Sequence, residues 1–228
     1  DATGDLGGGT VLLGGDVHGA NASILNARQT YVGGGTHIAA DAMHSGKGGQ
    51  VVVWSEELTR YLGSVTARGG VISGDSGFVE ISSRGGLNFA GSVDLLAPHG
   101  AMGTLLLDPN TITIVHGASG AASNDNQLLQ NVPTNGQAAG QILFNDGGAP
   151  PAVPAFTITD GALRDINANI VLQAYTSIIT DASSGSVDLT LQGKNSLTLQ
   201  TQNNSAAGVI DLSNAVAFGT TSGKIAIS

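Results

Sequence analysis

The sequence predicts an all-β fold, a right-handed parallel β-helix in which every coil of the chain adds one strand to each of several sheets. Three observations predict it: a recurring strand phrase, a second strand that recurs at the same offset, and a high glycine content. Repeats of about 20–50 residues, each too small to bury its own apolar face, are typical of solenoids. Parallel crossovers are almost always right-handed, and this sets the expected hand.

The recurring phrase is a glycine or small residue, a short apolar run and a turn. Its copies are Gly8–Gly14, Gly48–Trp54, Ser76–Ser82 and Met102–Asp108. Successive copies lie forty, twenty-eight and twenty-six residues apart. A second strand pattern around Val65 recurs around Val93, also twenty-eight residues later. Two strands that shift together by one period indicate stacked coils.

The composition supports an ordered chain and limits its partners. The 35 glycines are about twice the average share, and 41% hydrophobic residues provide a long narrow core. A net charge of −9 with only eight Lys and Arg residues argues against nucleic acid and anionic lipid. The absence of cysteine excludes disulfides and Cys-ligated metals. No apolar stretch reaches the roughly 18 residues of a membrane-spanning helix, so membrane insertion is not expected.

Residues 1–115 are predicted to form coils that carry the recurring phrase. Further strands are expected at Thr10–Leu13, Ser23–Ala27, Thr30–Val32, His37–Ala40, Gln50–Ser55, Tyr61–Ala67, Phe89–Leu95 and Thr111–Val115. Glycines between these runs would supply the corners at which one sheet bends into the next.

Residues 116–155 are predicted to be an irregular, loop-rich excursion to one side of the coils. Small and polar residues dominate there, with four prolines. Leu128–Leu129 and Ile142–Phe144 are the expected short strands, because forty residues without any structure would be unusual in a compact domain.

Residues 156–228 are predicted to return to coils with a shorter period of about nineteen residues. The spacing from Leu172 to Leu191, and from Ile178 to Leu197, gives that period. The expected strands are Phe156–Thr159, Ile170–Ala174, Ser177–Thr180, Asp188–Gln192, Ser196–Gln200, Val209–Leu212, Val216–Phe218 and Lys224–Ile227. Thr159 or Asp160 would cap one helical turn through Ile166.

The whole chain is expected to wind about nine coils into a rod about 40–50 Å long, given strands about 4.8 Å apart. Neither end carries an obvious polar cap, which terminal repeats normally need. We therefore expect the chain to be a segment of a longer rod.

Several runs resemble the filamentous-haemagglutinin-like adhesins, which are large exoproteins of Gram-negative bacteria secreted by the two-partner route. The runs are Gly15–Gly19, Gln50–Ser55, Ala67–Gly70, Gly77–Ser82 and Gly103–Pro109. Residues 8–115 resemble the family in order and spacing, and residues 156–228 look like its more generic downstream repeats.

The resemblance implies a parallel β-helix, export through a partner transporter of the outer membrane, and an adhesive role at the cell surface. The N-terminal secretion domain that engages the transporter is not found in these residues. The resemblance brings no catalytic residue with it. The ligand could be a surface glycan, a matrix polysaccharide or a host receptor, and the chain is expected to be a monomer without cofactors.

Gly74-Asp75-Ser76-Gly77 spells the nucleophile tetrad of chymotrypsin-like proteases. That chemistry needs a histidine base and an aspartate to orient it. The tetrad falls on a repeat boundary, where it is an ordinary turn, so we interpret it as a corner between coils.

Metal sites are not predicted. Gly69–Asp75 is a single degenerate copy of the calcium nonapeptide, a motif that needs tandem copies. A looser calcium site could be built from Asp125, Asp146 or Asp160. The five histidines (18, 37, 44, 99 and 116) contain no close pair at zinc-ligand spacing.

Glycan-cleaving β-helix enzymes are the alternative to an adhesin, and a purely structural spacer is the second alternative. Such enzymes need several Asp residues, or Asp with Arg or Lys, converging on one exposed sheet. Asp94 and Asp108 end strands while Arg68 and Arg84 sit near turns, so no such cluster is readable.

The recurring phrase also predicts the positions of two side chains, Glu80 and Trp54. Glu80 is expected to face solvent between Val79 and Ile81. Trp54 is expected to pack in or against the core, with a sugar-stacking platform as the alternative role. If a ligand site exists, residues 116–155 are where we expect it. The function predicted is therefore non-enzymatic: a rod-like segment of a secreted surface adhesin.

Overall fold

The computed structural model describes residues 1–118, 156–191, 193, 195–202 and 208–228. Within them the strands are β1 (Thr10–Leu13), β2 (Gln29–Val32), β3 (His37–Ala39), β4 (Gln50–Val53), β5 (Leu58–Tyr61), β6 (Ser64–Thr66), β7 (Phe78–Ser82), β8 (Gly86–Phe89), β9 (Ser92–Asp94), β10 (Thr104–Asp108), β11 (Thr111–Val115), β12 (Phe156–Thr159), β13 (Asn169–Ala174), β14 (Ser177–Asp181), β15 (Val187–Leu191), β16 (Leu197–Thr201), β17 (Val209–Asp211), β18 (Ala215–Thr220) and β19 (Ile225–Ile227). A 3₁₀ turn spans Val17–Gly19, and one helix, α1, spans Asp160–Asp165.

The architecture is a nearly all-β stack of parallel sheets, as the sequence predicts for a parallel β-helix. The first sheet has seven strands in the order β1-β4-β7-β10-β13-β16-β19. We number the coils 1–7 by these strands. The other sheets are β2-β5-β8, β3-β6-β9, β12-β11-β14-β17 and β15-β18. Strands pair in parallel throughout these sheets, and all the pairs join successive coils except β11 with β12, which both belong to coil 4.

The core is built from equivalent positions of successive coils. One inward row of the first sheet aligns Val11, Val51, Val79, Leu105, Ile170, Leu197 and Ile225. A second aligns Leu13, Val53, Ile81, Leu107, Leu172, Leu199 and Ile227. From coil 2 to coil 6 the members of both rows are almost completely buried. Each such side chain contributes about 1.5–3 kcal/mol by leaving water.

The offsets of the recurring phrase are confirmed as strand register. Val11 pairs with Val51, Val51 with Val79, and Val79 with Leu105. Val65 pairs with Val93 in a different sheet. The phrase therefore marks one strand of the first sheet in each of coils 1–4.

The predicted nineteen-residue period of the C-terminal coils is wrong. Leu172 pairs with Leu199 and Ile178 with Ile210, not with Leu191 and Leu197. Leu191 instead lies in β15, which belongs to the sheet β15-β18. Coils 5 and 6 each contain three strands, so a spacing of nineteen residues joins strands of different sheets.

The coil number is also smaller than expected. The first sheet has seven strands rather than nine, because a coil in the C-terminal part is longer than nineteen residues. Strand β10 of coil 4 pairs directly with β13, so none of the described residues between these two strands adds a strand to the first sheet. Six spacings of about 4.8 Å give a stack roughly 29 Å long.

The expected strands are largely confirmed, with differences at a few places. Ser23–Ala27 is not a strand but a turn and irregular backbone. Tyr61–Ala67 and Phe89–Leu95 are not single strands, because each run starts on the last residue of β5 or β8, breaks at a glycine and continues as β6 or β9. The mixed polar and apolar residues of β5 and β8 lack the clear alternation that would predict them as strands. The helix α1 is capped as predicted by Thr159, whose hydroxyl accepts a hydrogen bond from Ala162. The strands predicted at Leu128–Leu129 and Ile142–Phe144 lie outside the described residues.

The Gly74–Gly77 tetrad forms a corner, as the sequence analysis favours. Gly74 has φ +124° and would place a Cβ 1.9 Å from the Gly46 carbonyl oxygen of the neighbouring coil. Ser76 is buried and donates its hydroxyl to the Ala67 carbonyl at 2.6 Å. Its hydroxyl is therefore engaged in holding the corner.

Candidate functional site

The candidate site is a cleft of about 530 Å³ at the corner that follows the first sheet, which we call the corner cleft. It is lined by His18, Trp54, Ser83, Arg84, Asp108, Pro109, Asn110, Tyr175 and Gln202. Trp54, Ser83, Asp108, Tyr175 and Gln202 end or follow the first-sheet strands of coils 2 to 6. Because these coils are stacked in register, residues far apart in the sequence form one continuous surface.

Trp54 forms the floor of the cleft at the end nearest coil 1. It continues the strand ladder, since its N–H donates to the Leu13 carbonyl at 2.9 Å. The loop after β1 folds over the indole ring. A Cβ on Gly19 would lie only 2.5 Å from Cζ2 of Trp54. Trp54 is only 5% exposed, so its predicted packing role is confirmed.

The 3₁₀ turn after β1 places His18 at the rim. Asp16 caps the turn by accepting the Val17 N–H at 2.7 Å, and Asn21 donates to the other Asp16 oxygen at 3.0 Å. His18 has the left-handed backbone angles φ 54° and ψ 15°. This conformation is uncommon for a residue with a side chain.

His18 is held in that conformation by two carboxylates from other coils. Its backbone N–H donates to both oxygens of Glu80, at 3.0 and 3.2 Å. Its ring Nδ1 lies 3.0 Å from Oδ2 of Asp108. A turn from coil 1 is thereby attached to coils 3 and 4, and we call this arrangement the His18 clasp.

The prediction that Glu80 faces water is wrong. Alternation does direct its side chain away from the core, but the His18 clasp covers it and its exposure is 0%. The Ser82 hydroxyl donates to Oε1 of Glu80 at 2.5 Å. Burial raises the pKa of the Glu80 carboxyl, although the hydrogen bonds from Ser82 and His18 act to lower it.

Asp108 joins the clasp to the other end of the cleft. Oδ2 of Asp108 faces the His18 ring and also accepts a hydrogen bond from the Gln202 amide at 2.8 Å. The hydrogen bond to Asp108 raises the pKa of His18, against the opposing effect of burial. The nearby charge of Glu80 acts in the same direction as Asp108.

Three exposed side chains form the outer walls. Tyr175 is 56% exposed, and its backbone N–H donates to the Pro109 carbonyl at 3.2 Å. Asn110 is exposed on the preceding coil. The Arg84 guanidinium lies 3.3 Å from Oε2 of Glu56. The walls thus offer one aromatic face, one amide and one paired cation.

The four residues weighed as a lyase-like cluster, Arg68, Arg84, Asp94 and Asp108, do not form one group. Arg68 pairs with Asp94, its Nε 3.0 Å from Oδ2. Asp108 and Arg84 both line the corner cleft, but Asp108 pairs with His18 and Arg84 with Glu56. Asp108 instead groups with His18 and Gln202, a combination that no sequence motif indicates.

Asp160 lies in a separate buried network. Its carboxylate contacts His116 Nδ1 at 2.9 Å and accepts the N–H groups of Gly117 at 3.0 Å and Asp188 at 2.9 Å. Arg164 lies 3.7 Å away. Burial acts to raise the pKa of Asp160, but these hydrogen bonds and the Arg164 charge together lower it.

No cluster of three or more metal-ligating side chains occurs among the described residues. Asp125, Asp146 and most of the predicted ligand segment, residues 119–155, lie outside the described ranges. In the described part of the chain, no helix has the length and apolar character needed to cross a bilayer.

No protein-family model matches the chain, and none of the curated proteins matches it.

Proposed function

We propose that this chain is a rod-like β-helical segment of a large secreted surface adhesin of a Gram-negative bacterium. In this proposal an outer-membrane two-partner transporter exports the protein through a region outside these residues. The segment holds a binding surface away from the cell. Attachment would be to a surface glycan, a matrix polysaccharide or a host receptor.

The observation that carries the proposal is the register of the first sheet. Seven strands stack in parallel, and two continuous rows of apolar side chains fill the interior. Such a stack satisfies its backbone groups between neighbouring coils and can be extended coil by coil. These are the properties that a stiff spacer at a cell surface requires.

The corner cleft favours a binding segment over a plain spacer. It joins an exposed aromatic ring to amide and carboxylate groups from several coils. Binding sites commonly combine an apolar face with a few convergent polar groups. A spacer without a ligand would need the His18 clasp to hold its coils together, but not an aromatic ring exposed beside it.

The same site gives little support to glycan cleavage. A general acid or base must come within hydrogen-bond reach of the substrate. Glu80 is completely buried beneath His18, and Asp108 is already bonded to His18 and Gln202. We therefore propose a binding role without catalysis.

The proposal is tested by coupling the intact chain to beads and measuring their retention under flow. The surfaces are cultured epithelial cells, extracellular-matrix protein and bacterial biofilm. Beads carrying the same chain with a core substitution, Leu107→Asp, serve as the unfolded control. Retention above that control on at least one surface supports the adhesin. Equal retention on all surfaces refutes attachment and favours the spacer.

A further inference from the structure

We propose that the corner cleft binds a neutral oligosaccharide, with Tyr175 as the stacking platform and Asp108, Asn110 and Gln202 as partners of sugar hydroxyls. This inference deepens the proposed function, because it gives the adhesive segment a ligand class and a site. It follows from the shape of the cleft, its polar groups, its aromatic ring and its charge balance.

The shape suits a chain of several sugar rings. The cleft extends from Trp54 on coil 2 to Gln202 on coil 6. Four coil spacings of about 4.8 Å give a length on the order of 19 Å. One coil spacing is close to the length of one sugar ring in an extended chain, so successive rings could meet equivalent positions of successive coils.

The polar groups suit hydroxyl recognition. Each sugar hydroxyl is both a donor and an acceptor. A carboxylate only accepts, whereas an amide does both. Oδ2 of Asp108 is bonded to His18 and Gln202, so Asp108 offers its other oxygen, Oδ1, as an acceptor. Asn110 and Gln202 provide amide groups in the same lining. The cleft can therefore accept a hydrogen bond from one sugar hydroxyl and donate a hydrogen bond to the oxygen of a neighbouring one.

The aromatic ring supplies the apolar part of the interaction. Sugar rings have a face of C–H groups that packs on aromatic rings, and Tyr combines such a surface with few rotatable bonds. More than half of Tyr175 is exposed. Its position is fixed because the backbone of Tyr175 and Thr176 donates to Pro109 and Asn110, at 3.2 and 2.9 Å.

The charges favour a neutral ligand over an acidic one. Arg84 is paired with Glu56, and His18 lies beside both Asp108 and Glu80. The chain as a whole has a net charge of −9. An acidic polysaccharide would have to overcome this negative field without a free cation among the described residues that line the cleft.

The position of Trp54 supplies a direct readout. It is the only tryptophan of the chain and lines the corner cleft. Trp54 is only 5% exposed, so we expect its fluorescence to change when a ligand alters the polar groups of the cleft lining around the ring. The intact chain is titrated with cellotetraose, chitotetraose and maltotetraose, with tetragalacturonate as the acidic comparison, and calorimetry checks each affinity.

At least one neutral tetrasaccharide is expected to bind with a dissociation constant below about 1 mM. Tyr175→Ala should weaken that binding by at least about fivefold, and Tyr175→Phe should preserve it because the ring remains. Tyr31→Ala is the matched control, since Tyr31 is 39% exposed on β2 and does not line the cleft.

The inference is overturned if no neutral tetrasaccharide binds, if only tetragalacturonate binds, or if Tyr175→Ala binds like the wild type. Failure here is separable from failure of the adhesin proposal. Beads of the Tyr175→Ala variant that adhere like wild type would refute the site alone. Sugar binding by a chain whose beads adhere to nothing would refute the adhesin alone.

Discussion

Replacing Gly19 by alanine should destabilise the N-terminal coils by a predictable amount. Gly19 has φ +59°, and its Cβ would lie 2.5, 2.6 and 2.8 Å from three atoms of the Trp54 ring. The left-handed backbone costs about 1–2 kcal/mol for a residue with a side chain, and overpacking costs about 1–3 kcal/mol. We expect a loss of about 2–5 kcal/mol in the free energy of unfolding.

Two other glycines separate these contributions. Gly193 has φ +69° but nothing within 4 Å of its Cβ position, so Gly193→Ala should show the backbone cost alone. Gly35 also has open space, and its backbone requires no left-handed angle. Gly35→Ala should therefore change stability by less than about 0.5 kcal/mol.

The assay is urea unfolding followed by Trp54 fluorescence and by circular dichroism. Fluorescence reports the coils around Trp54, which can unfold before the rest because coils interact mainly with their neighbours. We expect Gly19→Ala to lower the urea midpoint measured by Trp54 fluorescence. This decrease should be larger than the decrease that Gly193→Ala causes in the urea midpoint measured by circular dichroism. Equal losses for the two variants would refute the close packing of Gly19 on Trp54.

Three further predictions concern buried groups. The pKa of Glu80 is raised in the folded chain. The free energy of unfolding of the wild type should therefore fall as pH rises from the unfolded pKa of about 4.3 towards the folded pKa. The stability of Glu80→Gln relative to the wild type, measured by urea unfolding, should increase over the same range. Because the pKa of Asp160 is lowered, its contribution is present above an unfolded value of about 3.9 and lost as pH falls through the folded value. Asp160→Asn should cost about 1.5–3 kcal/mol at neutral pH and progressively less in acid, whereas exposed Asp165→Asn should cost little. Leu107→Ala in the inward row should cost about 2–5 kcal/mol, measured against Leu96→Ala at a 39% exposed position.

Each of these predictions has a clear contrary result. A Glu80→Gln difference that stays constant with pH would contradict the burial of the carboxyl beneath His18. Equal losses for Asp160→Asn and Asp165→Asn would contradict the network around Asp160. Equal losses for Leu107→Ala and Leu96→Ala would contradict the position of the core.

The sequence was sufficient to predict the stacking of the first four coils. Apolar runs such as Val51–Val53 and Phe78–Ser82 recur with their flanking glycines, and pairing in parallel at one offset is the arrangement that buries every copy. The C-terminal coils were harder to predict, because three short strands per coil have similar residues. The nineteen residues from Leu172 to Leu191 therefore resemble a coil period, although Leu172 lies in the first sheet and Leu191 in the sheet β15-β18.

The corner cleft could not be predicted from the sequence in the same way. His18 meets Asp108 across ninety residues, and no motif marks such a pair. Glu80 was misjudged for a related reason: alternation gives the direction of a side chain, but not whether a loop from another coil covers it. A partial signal was present in Trp54 and Asp108, which stand at the ends of copies of one phrase and therefore lie at the same corner.

The most direct test of the account compares beads that carry the wild-type chain, Tyr175→Ala and Tyr31→Ala on the surface that retains the wild type best. We predict that Tyr175→Ala loses most of the retention above background, that Tyr31→Ala keeps it, and that a cleft-binding neutral tetrasaccharide added in solution releases the wild-type beads. Equal retention of all three variants, with no release by the sugar, would contradict attachment through the corner cleft.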